Sequence, residues 1–167
     1  TLKVKGFKAF NTEFTVSLNK SINVVVGENG SGKTAILDAI RLLLCEDEFN
    51  RAGLSENCFH RPLNLSAKSK GVDQIMIRAE FEGLEEVEQI AYLPWLDSNN
   101  IQKARLNVCI DNKEDFQGKF RKKYWGNESE TGMFEWELLN RIHCIYLPPL
   151  RDAEDKLKAY RGSTSYP

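Results

Sequence analysis

The chain has no Cys-x-x-Cys pair, no long apolar run and no excess of charge of either sign. Its four cysteines, Cys45, Cys58, Cys109 and Cys144, stand far apart. His60 lies two residues after Cys58, yet no second close pair and no fitting His spacing completes a zinc site. Reduced, mostly buried thiols are the expectation, in keeping with a cytoplasmic location. No stretch approaches the roughly 18 apolar residues of a membrane span, and no signal-peptide pattern opens the chain. A membrane partner is therefore not expected. Basic and acidic side chains number 23 and 24, and the balance holds locally: 11 and 10 in residues 1–83, 12 and 14 in residues 84–167. That excludes a polybasic nucleic-acid binder and an acidic disordered tail. Internal repeats and low-complexity tracts are also lacking. What remains is 167 residues, 41% hydrophobic, enough for one core and at most two small domains.

Leu2 and Val4 alternate with lysines, and Phe14, Val16 and Leu18 alternate with Thr15 and Ser17, so both stretches read as half-buried strands joined by a bend over residues 7–11. Ile22 to Val26 is a short β-branched run that reads as a strand buried on both faces. Apolar residues recur at helical spacing from Lys33 to Leu44. Residues 45–72 are polar and broken by Gly53, Pro62 and Gly71, a variable loop longer than ordinary connections. Ile75, Ile77, Ala79 and Phe81 alternate as a strand, a short acidic helix follows over 85–93, and Leu106, Val108 and Ile110 alternate again before a turn at Asp111-Asn112. Phe134 to Ile142 reads as helix. Cys144 to Leu147 reads as a buried strand that Pro148-Pro149 must end.

One segment carries chemistry. Gly27-Glu28-Asn29-Gly30-Ser31-Gly32-Lys33-Thr34 fits G-x-x-x-x-G-K-[ST] at every fixed position, with an apolar run before it and a helix after it. The glycines let the backbone curl so that N–H groups face phosphate oxygens, and the first turn of the helix, including Ala35, adds unpaired donors and the positive end of its dipole. Lys33 is expected on the β- and γ-phosphates of ATP, and the Thr34 hydroxyl on Mg²⁺. The motif does not name the reaction. Val108-Cys109-Ile110-Asp111 is the one candidate for an acid-ended strand, but its alternation suits a half-solvated antiparallel strand, which leaves Asp111 as turn chemistry.

The stretch from Leu2 to Phe10, followed by Val24-Val25-Val26 and the loop through Ile40, resembles the opening of SMC/RecF-like ABC ATPases, which begin with a strand ending in Phe-basic-x-Phe. Ile145-Tyr146-Leu147-Pro148-Pro149-Leu150-Arg151-Asp152-Ala153-Glu154 resembles the corresponding segment of OLD-family nucleases. The resemblance implies an α/β P-loop NTPase fold: an ABC/SMC-like ATPase lobe I with a mixed sheet and an added antiparallel β layer over about 72–111. In the OLD family such an ATPase precedes a metal-dependent Toprim nuclease, a combination associated with phage defence. It also implies a homodimer or higher oligomer, DNA as a partner, and nucleotide contacts from Lys8 and from Arg151 or Asp152, which stand where relatives carry a sensor Gln. Residues 1–167 hold no Ser-Gly-Gly signature and no Toprim carboxylate cluster, and the chain opens at Thr1. The expectation is therefore the N-terminal part of the ATPase domain, with the remainder of the ATPase and the nuclease lying downstream.

Gly118 to Gly126 packs Lys119, Arg121, Lys122 and Lys123 among Phe120, Tyr124 and Trp125. Such a mixture grips a phosphate backbone and stacks bases, or is a hairpin whose lysines face water. Glu82, Glu85, Glu86 and Glu88 read as a solvated helix face. Two other readings stay open: a compact P-loop kinase with Asp111 as its metal-side acid, and a nucleotide-dependent dimerisation module or another SMC/RecF-like DNA-repair ATPase.

Overall fold

The computed structural model describes residues 1–45, 54–62, 71–131 and 134–147. One sheet organises them. Its strands are β1 (Leu2–Lys5), β2 (Phe14–Val16), β3 (Gln74–Glu82), β4 (Leu96–Asp97), β5 (Asn100–Glu114) and β6 (Phe120–Gly126). The order is β2-β1-β3-β5-β4, and β6 also pairs with β5. Every pairing among the described residues is antiparallel. The long β5 carries β3 along one side, while β4 and β6 share the other, β4 at its N-terminal end and β6 at its C-terminal end.

Period-2 alternation sorts the two faces. Val4, Ile77, Leu106, Val108 and Ile110 point to the side covered by α1 (Lys33–Leu44), whose Ala35, Ile36, Ala39, Leu42 and Leu43 complete one apolar core. Two shorter helices follow, α2 (Glu86–Ala91), with no buried residue, and α3 (Trp136–Asn140), whose Leu138 and Leu139 join the core. Glu85 and Glu88 form a reciprocal capping box at the start of α2, and Glu82 pairs with Lys103 at 2.7 Å. These acids stabilise local structure. The opposite face of the sheet is polar: Arg105 meets Asp97 at 2.6 Å and Glu80 at 3.3 Å, and buried Asn107 accepts from Arg78 Nε at 2.7 Å while donating to the Asn127 carbonyl at 2.8 Å.

Three sequence expectations need correction. Asp111-Asn112 is not a turn, because β5 runs on to Glu114 in register with β3 and β6; the reversal falls at residues 115–118. Ile22–Val26 is not a buried strand. It has no ladder partner among the described residues, and Ile22 and Val26 are 87% and 83% exposed. Cys144–Leu147 likewise lies outside any strand, with Ile145 84% exposed. β-branched composition supplies propensity, but a strand persists only where another strand takes up its N–H and C=O groups. In this chain Val24→Thr and Val26→Thr are each expected to change unfolding free energy by no more than about 0.5 kcal/mol, as exposed positions do. A strand buried on both faces would lose about 1–3 kcal/mol per unpartnered hydroxyl. Denaturant titration separates the two.

Four buried phenylalanines, Phe7, Phe10, Phe59 and Phe120, gather near the loop that precedes α1. The backbone of Phe7 makes isolated antiparallel bridges to Phe10 and Phe59, and the Phe59 ring lies 5.1 Å from that of Phe120 at the base of β6.

Candidate functional site

The segment 27–34 curls directly into α1. Gly32 is the N-cap in left-handed conformation, φ +95°, and the Ile36 N–H donates to its carbonyl at 3.1 Å. A side chain there would also be crowded: a Cβ would lie 3.0 Å from Phe10 Cζ and 3.3 Å from Ala9 Cβ. The β1–β2 turn therefore presses on the loop, and only glycine satisfies both the dihedral and the space. Ser31 N–H donates to the Glu28 carbonyl at 3.2 Å, tightening the curl. The Lys33 ammonium folds back across the loop and donates to the carbonyls of Gly27 at 2.8 Å and Glu28 at 2.6 Å. The one cation of the loop is thus held at its mouth, beside the unpaired N–H groups of the first turn of α1. This is the chemistry of an anion cradle. Thr34 is exposed in that first turn and Ala35 is buried beneath it. A metal held mostly by nucleotide phosphates needs few protein oxygens, so one exposed hydroxyl here fits Mg²⁺. Among the described residues no group of three or more His, Cys, Asp or Glu is placed to hold a metal by itself.

Lys8 sits in the turn that touches the loop. Its backbone is left-handed, φ +47°, and is pinned on both sides: its N–H donates to the Cys58 carbonyl, and its carbonyl accepts from His60 Nδ1, both at 2.8 Å. Its ammonium meets Asp38 Oδ2 at 2.5 Å, and Arg41 Nη1 meets the other oxygen at 3.3 Å. Asp38 is buried on the core-facing side of α1, where an unpaired carboxylate would be costly. Sequence reasoning missed this residue. The available signal was a lone acid on an otherwise apolar helical stripe, three residues after Ala35. The Arg41 guanidinium also stacks 3.7 Å from the Tyr146 ring centroid, which brings the 144–147 segment against α1.

The other candidates do not converge on the loop. Asp111 stands in the β3–β5 ladder opposite Gln74, whose Nε2 donates to its carboxylate at 2.9 Å; it does not end a strand. The aromatics of the basic segment are not available to bases. Phe120 and Tyr124 belong to the core, the Tyr124 hydroxyl donating to the Leu42 carbonyl at 3.1 Å, and Trp125 is buried. Lys119 and Arg121 are exposed, Lys122 is half-buried, and Lys123 pairs with Glu130 at 3.2 Å. Burial pushes the Cys109 thiol up from its ordinary value, and the Asp111 and Glu130 carboxylates add to the effect. Arg151 and Asp152 lie outside the described residues.

The profile of the AAA domain family matches residues 1–143. Chromosome partition protein Smc of Bacillus subtilis (strain 168) is 51% identical over 45 residues, 27% of this chain and 4% of that protein. The Smc of Halothermothrix orenii is 49% identical over 45 residues, with the same shares. That of Mesomycoplasma hyorhinis is 28% identical over 92 residues, 53% of this chain and 9% of its own. The chain thus spans less than a tenth of these curated relatives. A solved structure from work on the structural biochemistry of ATP-driven dimerization and DNA stimulated activation of SMC ATPases superposes with a TM-score of 0.51 at 19% identity, covering 83% of this chain and 74% of that one.

Proposed function

From a chain that belongs to the AAA domain family, we propose an ATP–Mg²⁺-binding lobe whose site is the Gly27–Thr34 loop. The fold is that of an α/β P-loop ATPase of the ABC/SMC type. The observation that carries the reading is the Lys33 ammonium drawn over a glycine-lined curl at the start of α1. Backbone N–H groups from Gly27 to Ala35 receive the phosphate oxygens, Lys33 turns from the loop carbonyls to the β- and γ-phosphates, and Thr34 ligates the ion. Mg²⁺, when bound, neutralises phosphate charge. Lys8, held by Asp38 next to the loop, is the nearest additional cation we assign to the nucleotide side. Arg151 and Asp152 are proposed for the sensor position.

For the full-length protein we infer nucleotide-driven pairing of two copies and a DNA partner, by analogy with the solved neighbour. The finer reading is the ATPase domain of an OLD-type endonuclease, with ATP state controlling assembly or cleavage by a separate Toprim domain. Its support is the resemblance of residues 145–154. Residues 1–167 would then be the N-terminal part of that ATPase.

The test is a titration with ATP–Mg²⁺ followed by a phosphate-release assay on the same chain. Saturable binding is expected with release well below about 1 s⁻¹, the lower end of ordinary enzyme turnover. The loop fixes one side of the triphosphate, and Asp111, the acid of the one candidate acid-ended strand, accepts from Gln74 within the ladder. Turnover at or above that rate, abolished by Lys33→Ala, would instead favour a complete site within these residues.

A further inference from the structure

We infer that the tip of the β5–β6 hairpin is a contact for single-stranded nucleic acid, with Phe116 as the stacking surface and Lys119 and Arg121 as its phosphate contacts. The inference deepens the DNA part of the reading above and is independent of nucleotide binding.

Phe116 is 94% exposed, more than any other large apolar side chain among the described residues. Leaving a ring in water forgoes the gain of burying it, about 1.5–3 kcal/mol. Its exposure differs in kind from that of Ile22 or Ile145, which lie on segments without ladder partners among the described residues. The tip is a closed turn. Asp115 N–H donates to the Lys119 carbonyl at 2.8 Å and Gly118 N–H to the Asp115 carbonyl at 3.0 Å. The Asp115 carboxylate accepts from the backbone N–H groups of Gln117 at 2.8 Å and Lys119 at 3.0 Å. One of the two acids at the tip is thereby used to set the turn, leaving Glu114 as the other. Glu114 opposite Phe120 closes the ladder below, and Phe120 is anchored on Phe59. The backbone that carries the ring is therefore already ordered before anything binds. Lys113 on β5, Lys119 at the end of the turn and Arg121 on β6 are all exposed.

The size of the surface selects the partner. One aromatic side chain buries about 150–250 Å², far below the ~800 Å² that each side of a stable protein interface contributes. An unpaired base offers an apolar face of matching size beside a phosphate, and base–aromatic stacking is worth a measurable amount for a single ring. In a duplex those faces are already stacked on one another, so the tip favours single strands.

Fluorescence anisotropy with a labelled 20-nucleotide oligothymidylate and a labelled 20-base-pair duplex, without ATP, tests this. The unaltered chain is expected to bind the single strand more tightly than the duplex. Phe116→Ala is expected to weaken single-strand binding at least about fivefold and Phe116→Trp to preserve it. Lys119→Gln and Arg121→Gln are each expected to reduce the dependence of log affinity on log salt by about 0.7. Lys33→Ala should leave all of this unchanged, which separates failure here from failure of the nucleotide site. Melting temperature checks that each variant is folded. No binding of the single strand by the unaltered chain, duplex binding as tight as single-strand binding, or Phe116→Ala within twofold of the unaltered chain overturns the inference.

Discussion

Lys33→Ala is expected to weaken ATP–Mg²⁺ binding about ten- to 150-fold. Charge-assisted hydrogen bonds to phosphate contribute about 1.5–3 kcal/mol, which converts to that range. The ammonium is already engaged with the carbonyls of Gly27 and Glu28, so the gain on binding is an exchange of neutral acceptors for charged ones, and the lower half of the range is the better expectation. Those carbonyls are exposed, so water replaces the lost donor and the fold should be little affected. Calorimetric titration alongside a denaturant melt reads both quantities. An affinity within twofold of the unaltered chain would remove the loop from the nucleotide site.

Gly6→Ala is expected to cost about 3–5 kcal/mol of stability. Gly6 follows β1 with φ +72°, and a Cβ there would lie 2.2 Å from the Gln74 carbonyl oxygen and 3.1 Å from Val72 Cγ2. The left-handed dihedral alone costs a non-glycine residue roughly 1–2 kcal/mol. The contact with Gln74 is backbone against backbone, which cannot swing aside, so the β1–β3 ladder must open at its end. The Gly6 carbonyl also accepts from His60 N–H at 2.8 Å, and the turn it introduces is the one that presses on Gly32. Weaker ATP binding should therefore accompany the lost stability. A loss below about 1 kcal/mol in denaturant titration would contradict the close packing of β1 on β3.

The parts of the site legible in the sequence were those where local chemistry decides the outcome. The fixed residues of 27–34 and the helical stripe of α1 predict the loop and its helix, and strict alternation predicts β3 and the middle of β5. The unread parts depend on partners distant in sequence. Asp111-Asn112 has turn residues, but pairing with β3 and β6 overrides them, and Asp115 with Gly118 makes the turn instead. Ile22–Val26 has strand composition without a strand beside it among the described residues. Phe120, Tyr124 and Trp125 sit among cations in the sequence, yet the sheet turns the first two into the core. Phe116, two residues before the glycine that opened that segment, is the ring left outside. Asp38 showed in the sequence only as a lone acid on the α1 stripe, because its counter-ion Lys8 lies 30 positions away.

The pairing of β1 with β3 also has a consequence for how the protein is made. Lys3 meets the Glu80 carboxylate, 77 positions further along the chain. At a synthesis rate of about 5–20 residues per second, β1 waits roughly 4–15 s on the ribosome before the strand that takes up its free edge exists. The glycine loop and α1 are complete about halfway through that interval, before β3 exists to help bury the apolar side of the helix. During that wait Leu2, Val4, Phe7 and the α1 stripe remain an incompletely covered apolar surface, of the kind prone to aggregate. Ribosome-bound chains truncated before residue 74 should be sensitive to protease, and chains extended far enough past Glu114 for β5 to clear the exit tunnel should not.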